Sequence, residues 1–148
     1  MTGLALRSAI APMSQVAIDH VRQIEAINLA RPQTELRFEH DLHAGMYART
    51  MIVPELPTDE VCVITAALIK IPTLMISHGD ALAYTGEAEP LVFTGHTITR
   101  AAAGRCQAFI AKSGFRLTMI FPTEARTVAE AEEEFTDEAH RLMSRKER

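Results

Sequence analysis

The stretch ALIKIPTLMISHGD, residues 67–80, is an apolar run that ends in a His-Gly-Asp turn. It has two readings: the wall of a site with His78 as a metal ligand, or two strand segments of a β core. Turn chemistry accounts for Gly79 and Asp80, which leaves His78 most simply a turn residue. The decision between the readings rests on what surrounds the stretch.

Outward from it, residues 34–122 keep one rhythm. Short runs rich in β-branched and apolar residues (ELRFEH, MYARTMIV, EVCVITAALIKI, TLMIS, ALAYTG, PLVFTG, TITRAA, QAFIAKS, FRLTMIF) are divided by turn signals such as His43-Ala44-Gly45, Pro54 to Pro57, Gly86, Gly95, Gly104 and Ser113-Gly114. Many short strands at near-regular spacing predict an all-β sandwich or barrel. No long amphipathic helix interrupts them, which disfavours alternating β-α-β units.

The flanks are helical. Ser14 is placed as an N-cap, Ala17, Val21, Ile24 and Ile27 follow a 3.6-residue period, and Pro32 ends the segment. At the other end Thr127 and Glu130 have the spacing of a capping box, followed by a stripe of Val128, Ala131, Phe135, Ala139 and Leu142. Glu130, Glu132, Glu133 and Glu134 precede Arg141, Arg145 and Lys146, the order a helix dipole favours, so the charge run predicts a solvated helix face. The expected organisation is a helical arm (1–33), a β-barrel (34–123) and a C-terminal helix (124–148).

The 148 residues are 47% hydrophobic, with a net charge of −4, 5% aromatic residues and no Trp. A chain of this length buries about 68–70% of its unfolded surface. The absence of clustered Lys and Arg argues against nucleic acid as a partner. Cys62 and Cys106 lie apart in apolar segments, as buried free thiols do. The apolar N-terminal run is interrupted by Arg7 and too short to span a bilayer, so no membrane is expected and the expected location is the cytoplasm.

The segments LARPQ, Gly45-Met46-Tyr47-Ala48-Arg49 with Ile52-Val53-Pro54, the SHGD turn, and Thr118-Met119-Ile120-Phe121-Pro122-Thr123 leading into an acidic helix resemble, in order and spacing, small cupin-like proteins of phages and prophages. The resemblance spans roughly residues 27–136. It implies a mainly β fold, the double-stranded β-helix or cupin jelly roll, flanked by an N-terminal and a C-terminal helix and assembled as dimers or higher oligomers. It also implies where a metal would sit: two His at i and i+2, a carboxylate or His a few residues on, and a last His on a later strand, all turned to one face. Those positions fall at Ala66 and Leu68 (or Thr65 and Ala67), Pro72 and Gln107, and the His of an alternative alignment falls at Ile69 and Thr73. None is a useful ligand, so no metal or other cofactor is expected.

His40 and His43, in FEHDLHAG beside Glu39 and Asp41, are weak metal candidates at a barrel mouth, against a plain loop role. Tyr47 and Arg49 share one strand face, with Met46, Ala48 and Thr50 on the other. On a concave face they would hold an anion, with Gln107 as a third contact; on an outer face they would make a helix or subunit contact. Lys70, Arg100, Arg105 and Arg116 add positive charge of unknown facing. No nucleophile elbow, P-loop or dinucleotide fingerprint is present.

Three functions remain. The first is a non-enzymatic, metal-free cupin-like phage protein acting through homo-oligomerisation and contacts with phage or host proteins. The second is a cupin binding a small anionic ligand, a sugar or nucleotide. The third, a metal-dependent cupin enzyme, lacks its ligand set.

Overall fold

The computed structural model describes residues 9–143; Arg7, Arg145 and Lys146 lie outside them. Among the described residues, ten strands form two sheets. The strands are β1 (Ala9–Ile10), β2 (Arg37–His43), β3 (Met46–Ile52), β4 (Cys62–Thr65) and β5 (Thr73–His78). They continue with β6 (Ala81–Tyr84), β7 (Leu91–Phe93), β8 (His96–Ala101), β9 (Ala108–Ala111) and β10 (Arg116–Pro122). The helices are α1 (Gln15–Leu29) and α2 (Val128–Phe135), followed by a 3₁₀ turn at Ala139–Arg141. One sheet has the order β1-β8-β5-β10-β3-β2 and the other β4-β9-β6-β7. Apart from the parallel β1–β8 pair, all pairings are antiparallel. The chain is a mainly β double-stranded β-helix with two helices.

Each of the nine runs read from the sequence overlaps one of the strands β2–β10, and β2 continues to His43, past the end of its run. Alternation turns Ile64, Met75, Phe93 and Phe109 inward, where with Val53 and Phe115 they form the core between the sheets. Burying such side chains contributes about 1.5–3 kcal/mol each. The turn after β5 needs Gly79, whose φ is +109° and where a Cβ would lie 3.2 Å from the Phe115 Cα. His78 ends β5 as an exposed residue paired with His96, their rings 6.4 Å apart.

α1 begins where expected, the Ser14 hydroxyl accepting the Ala17 amide at 3.1 Å. Its apolar stripe is covered in part, with Ala17 and Val21 buried and Ile27 62% exposed. Ala17 and Val21 pack with Met13, Cys106 and Ala108 on the outer side of the four-stranded sheet.

The C-terminal segment departs from a single helix. α2 stops at Thr136, which is extended (φ −151°, ψ 147°). Ala139 and Leu142 nevertheless join Tyr47, Phe121, Ala131 and Phe135 in one cluster that closes an end of the barrel. Glu138 accounts for the break, because its carboxylate accepts from the Leu68 amide at 3.1 Å and from Arg22 of α1. Tying Glu138 to two other elements draws the chain off the helical path.

Candidate functional site

A cavity of about 550 Å³ lies between the sheets. Arg49 and Met51 of β3, Met75 of β5 and Leu117 and Met119 of β10 line one side; Cys62, Ile64, Gln107 and Phe109 line the other. Leu36 and Phe38 close a flank, and Arg31, Gln33, Arg141 and Met143 stand at the rim.

Alternation on β3 did place Tyr47 and Arg49 together, and both face inward, Tyr47 fully buried and Arg49 9% exposed. They part company there. Tyr47 packs edge-on to Phe121 at 5.5 Å and its hydroxyl lies 2.6 Å from His40 Nδ1, outside the cavity lining. Arg49 lines the cavity, but its charge is engaged: Nη1 donates to Glu132 Oε2 at 3.1 Å, and the guanidinium stacks 4.7 Å from the Phe38 centroid. Glu132 is 0% exposed. This corrects the expectation of a wholly solvated acidic face; Glu130, Glu133 and Glu134 are exposed, while Glu132 turns inward to meet the strand cation.

His40 and His43 are not brought together. A spacing of three on a strand sends the side chains to opposite faces, so His40 is half-buried toward Tyr47 and His43 is exposed. Among the described residues, no three His, Cys, Asp or Glu side chains are grouped to hold a metal ion.

Gln107 does line the cavity, 3% exposed, and beside it stands the residue that sequence reasoning undervalued. Arg105 is 1% exposed. Its Nε donates to Gln107 Oε1 at 3.2 Å, its Nη1 to the Ala102 carbonyl at 2.8 Å, and its Nη2 to the Thr73 hydroxyl at 2.6 Å. Nη2 also lies 3.7 Å from the Met119 sulfur and 3.9 Å from that of Met75, both cavity residues. Among the described residues no carboxylate pairs with Arg105. Burial alone pulls the guanidinium down to about 10. The other basic candidates are elsewhere: Lys70 is exposed against Asp137, Arg116 lies by Glu39, and Arg100 is exposed on β8.

The same contact orients Gln107. Because Arg105 Nε–H only donates, the Gln107 oxygen must face it and the amide nitrogen must face away. That buried Nε2 has no hydrogen-bond partner. An uncompensated cation and an unpaired N–H donor thus stand side by side on one cavity wall. The signal in the sequence was the i, i+2 pair Arg105 and Gln107 in the otherwise apolar and small stretch after Gly104.

No protein-family model and no curated protein sequence matches this chain. Solved structures match in backbone path. A cupin-superfamily protein from Desulfitobacterium hafniense aligns with a TM-score of 0.47 and 10% identity over 64% of this chain and 83% of its own. A protein with a double-stranded β-helix domain from Klebsiella pneumoniae aligns with a TM-score of 0.47 and 13% identity over 64% of this chain and 80% of its own. Salicylate 1,2-dioxygenase from Pseudoaminobacter salicylatoxidans aligns with a TM-score of 0.41 and 11% identity, over 81% of this chain and 33% of its own. The matches therefore include proteins of unknown function as well as enzymes. No helix among the described residues is long and apolar enough to cross a membrane.

Proposed function

We infer that this chain binds a small anionic molecule in the cavity between its sheets. The observation that carries the reading is Arg105: a guanidinium 1% exposed, without a carboxylate partner among the described residues, on a cavity wall beside an unpaired amide donor. Burying an ion costs several kcal/mol when nothing opposes its charge. Perturbed, uncompensated charges in a cavity mark sites whose counter-charge arrives with a ligand.

The same residue argues against a metal-dependent cupin enzyme. Gln107 holds the position that the resemblance assigns to the last metal ligand, and Arg105 Nε is 3.2 Å from its oxygen. A fixed positive charge there repels a divalent cation, and the residues at the remaining ligand positions offer no carboxylate, imidazole or thiolate. The residues present do not fit a metal centre.

Scanning fluorimetry with small carboxylates, phosphates and their neutral analogues tests the reading. An anion at a hundred times its Kd is expected to raise Tm by about 5–10 °C, and Arg105→Gln is expected to abolish the rise. A panel in which no anion shifts Tm overturns it.

A second reading, assembly with copies of itself in a virion or accessory complex, is favoured by the outer side of the four-stranded sheet. Val63, Ile110, Leu82 and Val92 lie in one cross-strand row from edge to edge, each 39–58% exposed. The row carries no charged side chain, and the occupant proposed for it is the same row of a second copy across a two-fold axis.

A further inference from the structure

We propose that the ligand of this cavity is an apolar monocarboxylic acid, its carboxylate held by Arg105 and Gln107 and its body by the apolar walls. This deepens the anion-binding reading and rests on it.

Charge stoichiometry sets the head group. Four arginines line the cavity. Arg31 and Arg141 stand at the rim, Arg141 against Glu25 and Glu138. Of the two buried ones Arg49 is paired with Glu132 at 3.1 Å, so Arg105 is the one buried positive charge left. A carboxylate carries one negative charge and matches it. A phosphate monoester carries close to two, and its three acceptor oxygens exceed the donors available from Arg105 Nη2 and Gln107 Nε2.

At the Arg105–Gln107 end, donor and acceptor types disfavour a sugar. The deep polar groups are donors: arginine has no acceptor, and the Gln107 oxygen is already taken by Arg105. An ionised carboxylate only accepts, which is what this end of the cavity offers. A sugar hydroxyl must also donate, and each one buried without an acceptor costs about 1–3 kcal/mol. A nucleotide fails on both counts, with a ribose to satisfy and a phosphate to neutralise.

Much of the rest of the wall suits a hydrocarbon body; its polar members Glu25, Asn28, Thr34, Thr65 and Glu138 are partly exposed and His140 is exposed. Leu36, Phe38, Met51, Ile64, Phe109 and Leu117 contribute no polar side-chain group other than the Met51 thioether. Methionine side chains, here also Met75 and Met119 beside the cation, adapt to irregular apolar shapes. The volume of about 550 Å³ falls within the range of small-molecule pockets.

The test uses the described chain at full length with four probes: decanoate, decanol, inorganic phosphate and AMP, read by scanning fluorimetry and calorimetry. Decanoate is expected to bind saturably at one site, decanol at least tenfold more weakly, and phosphate and AMP not at all. Binding of AMP or phosphate with decanoate silent overturns the carboxylic acid and leaves the anion-binding reading standing. No binding by any anion, or decanol equal to decanoate, overturns both.

Gln107→Glu places a carboxylate against Arg105 and is expected to weaken decanoate at least tenfold; undiminished binding by this variant overturns the assignment. A measurement on the unaltered protein stands beside it. Decanoate labelled with 13C at its carboxyl is expected to titrate, when bound, at lower pH than the free acid. A bound carboxyl that titrates at or above the free value places the head group away from Arg105 and overturns the proposal.

Discussion

Arg49 on β3 and Glu132 on α2 form a buried ion pair, Nη1 to Oε2 at 3.1 Å, that joins the inner face of one sheet to the helix closing the barrel end. Removing one member of such a pair leaves the other charge buried and unopposed. Glu132→Ala is therefore expected to lower unfolding stability by about 3–5 kcal/mol. The double variant Arg49→Met, Glu132→Ala is expected to recover part of the loss. Urea denaturation of the two proteins checks both outcomes.

Phe135 is the last residue of α2 and sits edge-on to Phe121 at a centroid distance of 6.0 Å, with Arg49 over its ring at 5.5 Å. It is 1% exposed and also borders the cavity. Phe135→Ala is expected to cost about 3–5 kcal/mol through lost burial and the void left behind. The same denaturation series measures it.

Cys106 is fully buried, its sulfur 3.3 Å from the Ala66 carbonyl, and burial pushes the thiol up to about 11. In the unfolded chain the thiol loses its proton near 9. Between those values the folded state holds the proton and the unfolded state does not, so stability falls as pH rises from about 9 towards 11. Cys106→Ala is expected to lose this part of the alkaline decline. Comparing urea midpoints of the two proteins at pH 8 and pH 10.5 checks it.

Ile110 is central in the exposed row that Val63, Leu82 and Val92 complete. If copies assemble through this row, Ile110→Lys places two like charges at the two-fold contact and yields monomer. Light scattering at micromolar concentration is expected to give a higher mass for the unaltered chain than for this variant; equal masses reject the contact.

Much of this was legible in the residues. Two-residue alternation and turn punctuation located β2–β10, with some ends misplaced by one to three residues, and Ser14 and Thr127 marked both helix starts, because these signals act over a few neighbouring residues. The Thr127 cap differs in one detail: the Glu130 carboxylate accepts from the Arg126 amide at 3.2 Å. β1 went unread, since two residues added in parallel to a sheet edge carry no pattern of their own. The end of α2 went unread because Glu138 is held by Leu68 and Arg22, distant in sequence.

The site divides the same way. Alternation by itself determined that Tyr47 shares a face with Arg49, and it left open the facing of Arg105, which precedes β9. It could not determine which of these faces a cavity. Tertiary structure decided that Tyr47 is covered by Phe121, that Arg49 is neutralised by a glutamate 83 residues away, and that Arg105 is not neutralised by any described carboxylate. The physical reason is that facing follows from local geometry, whereas burial and charge balance depend on which distant elements close over a residue.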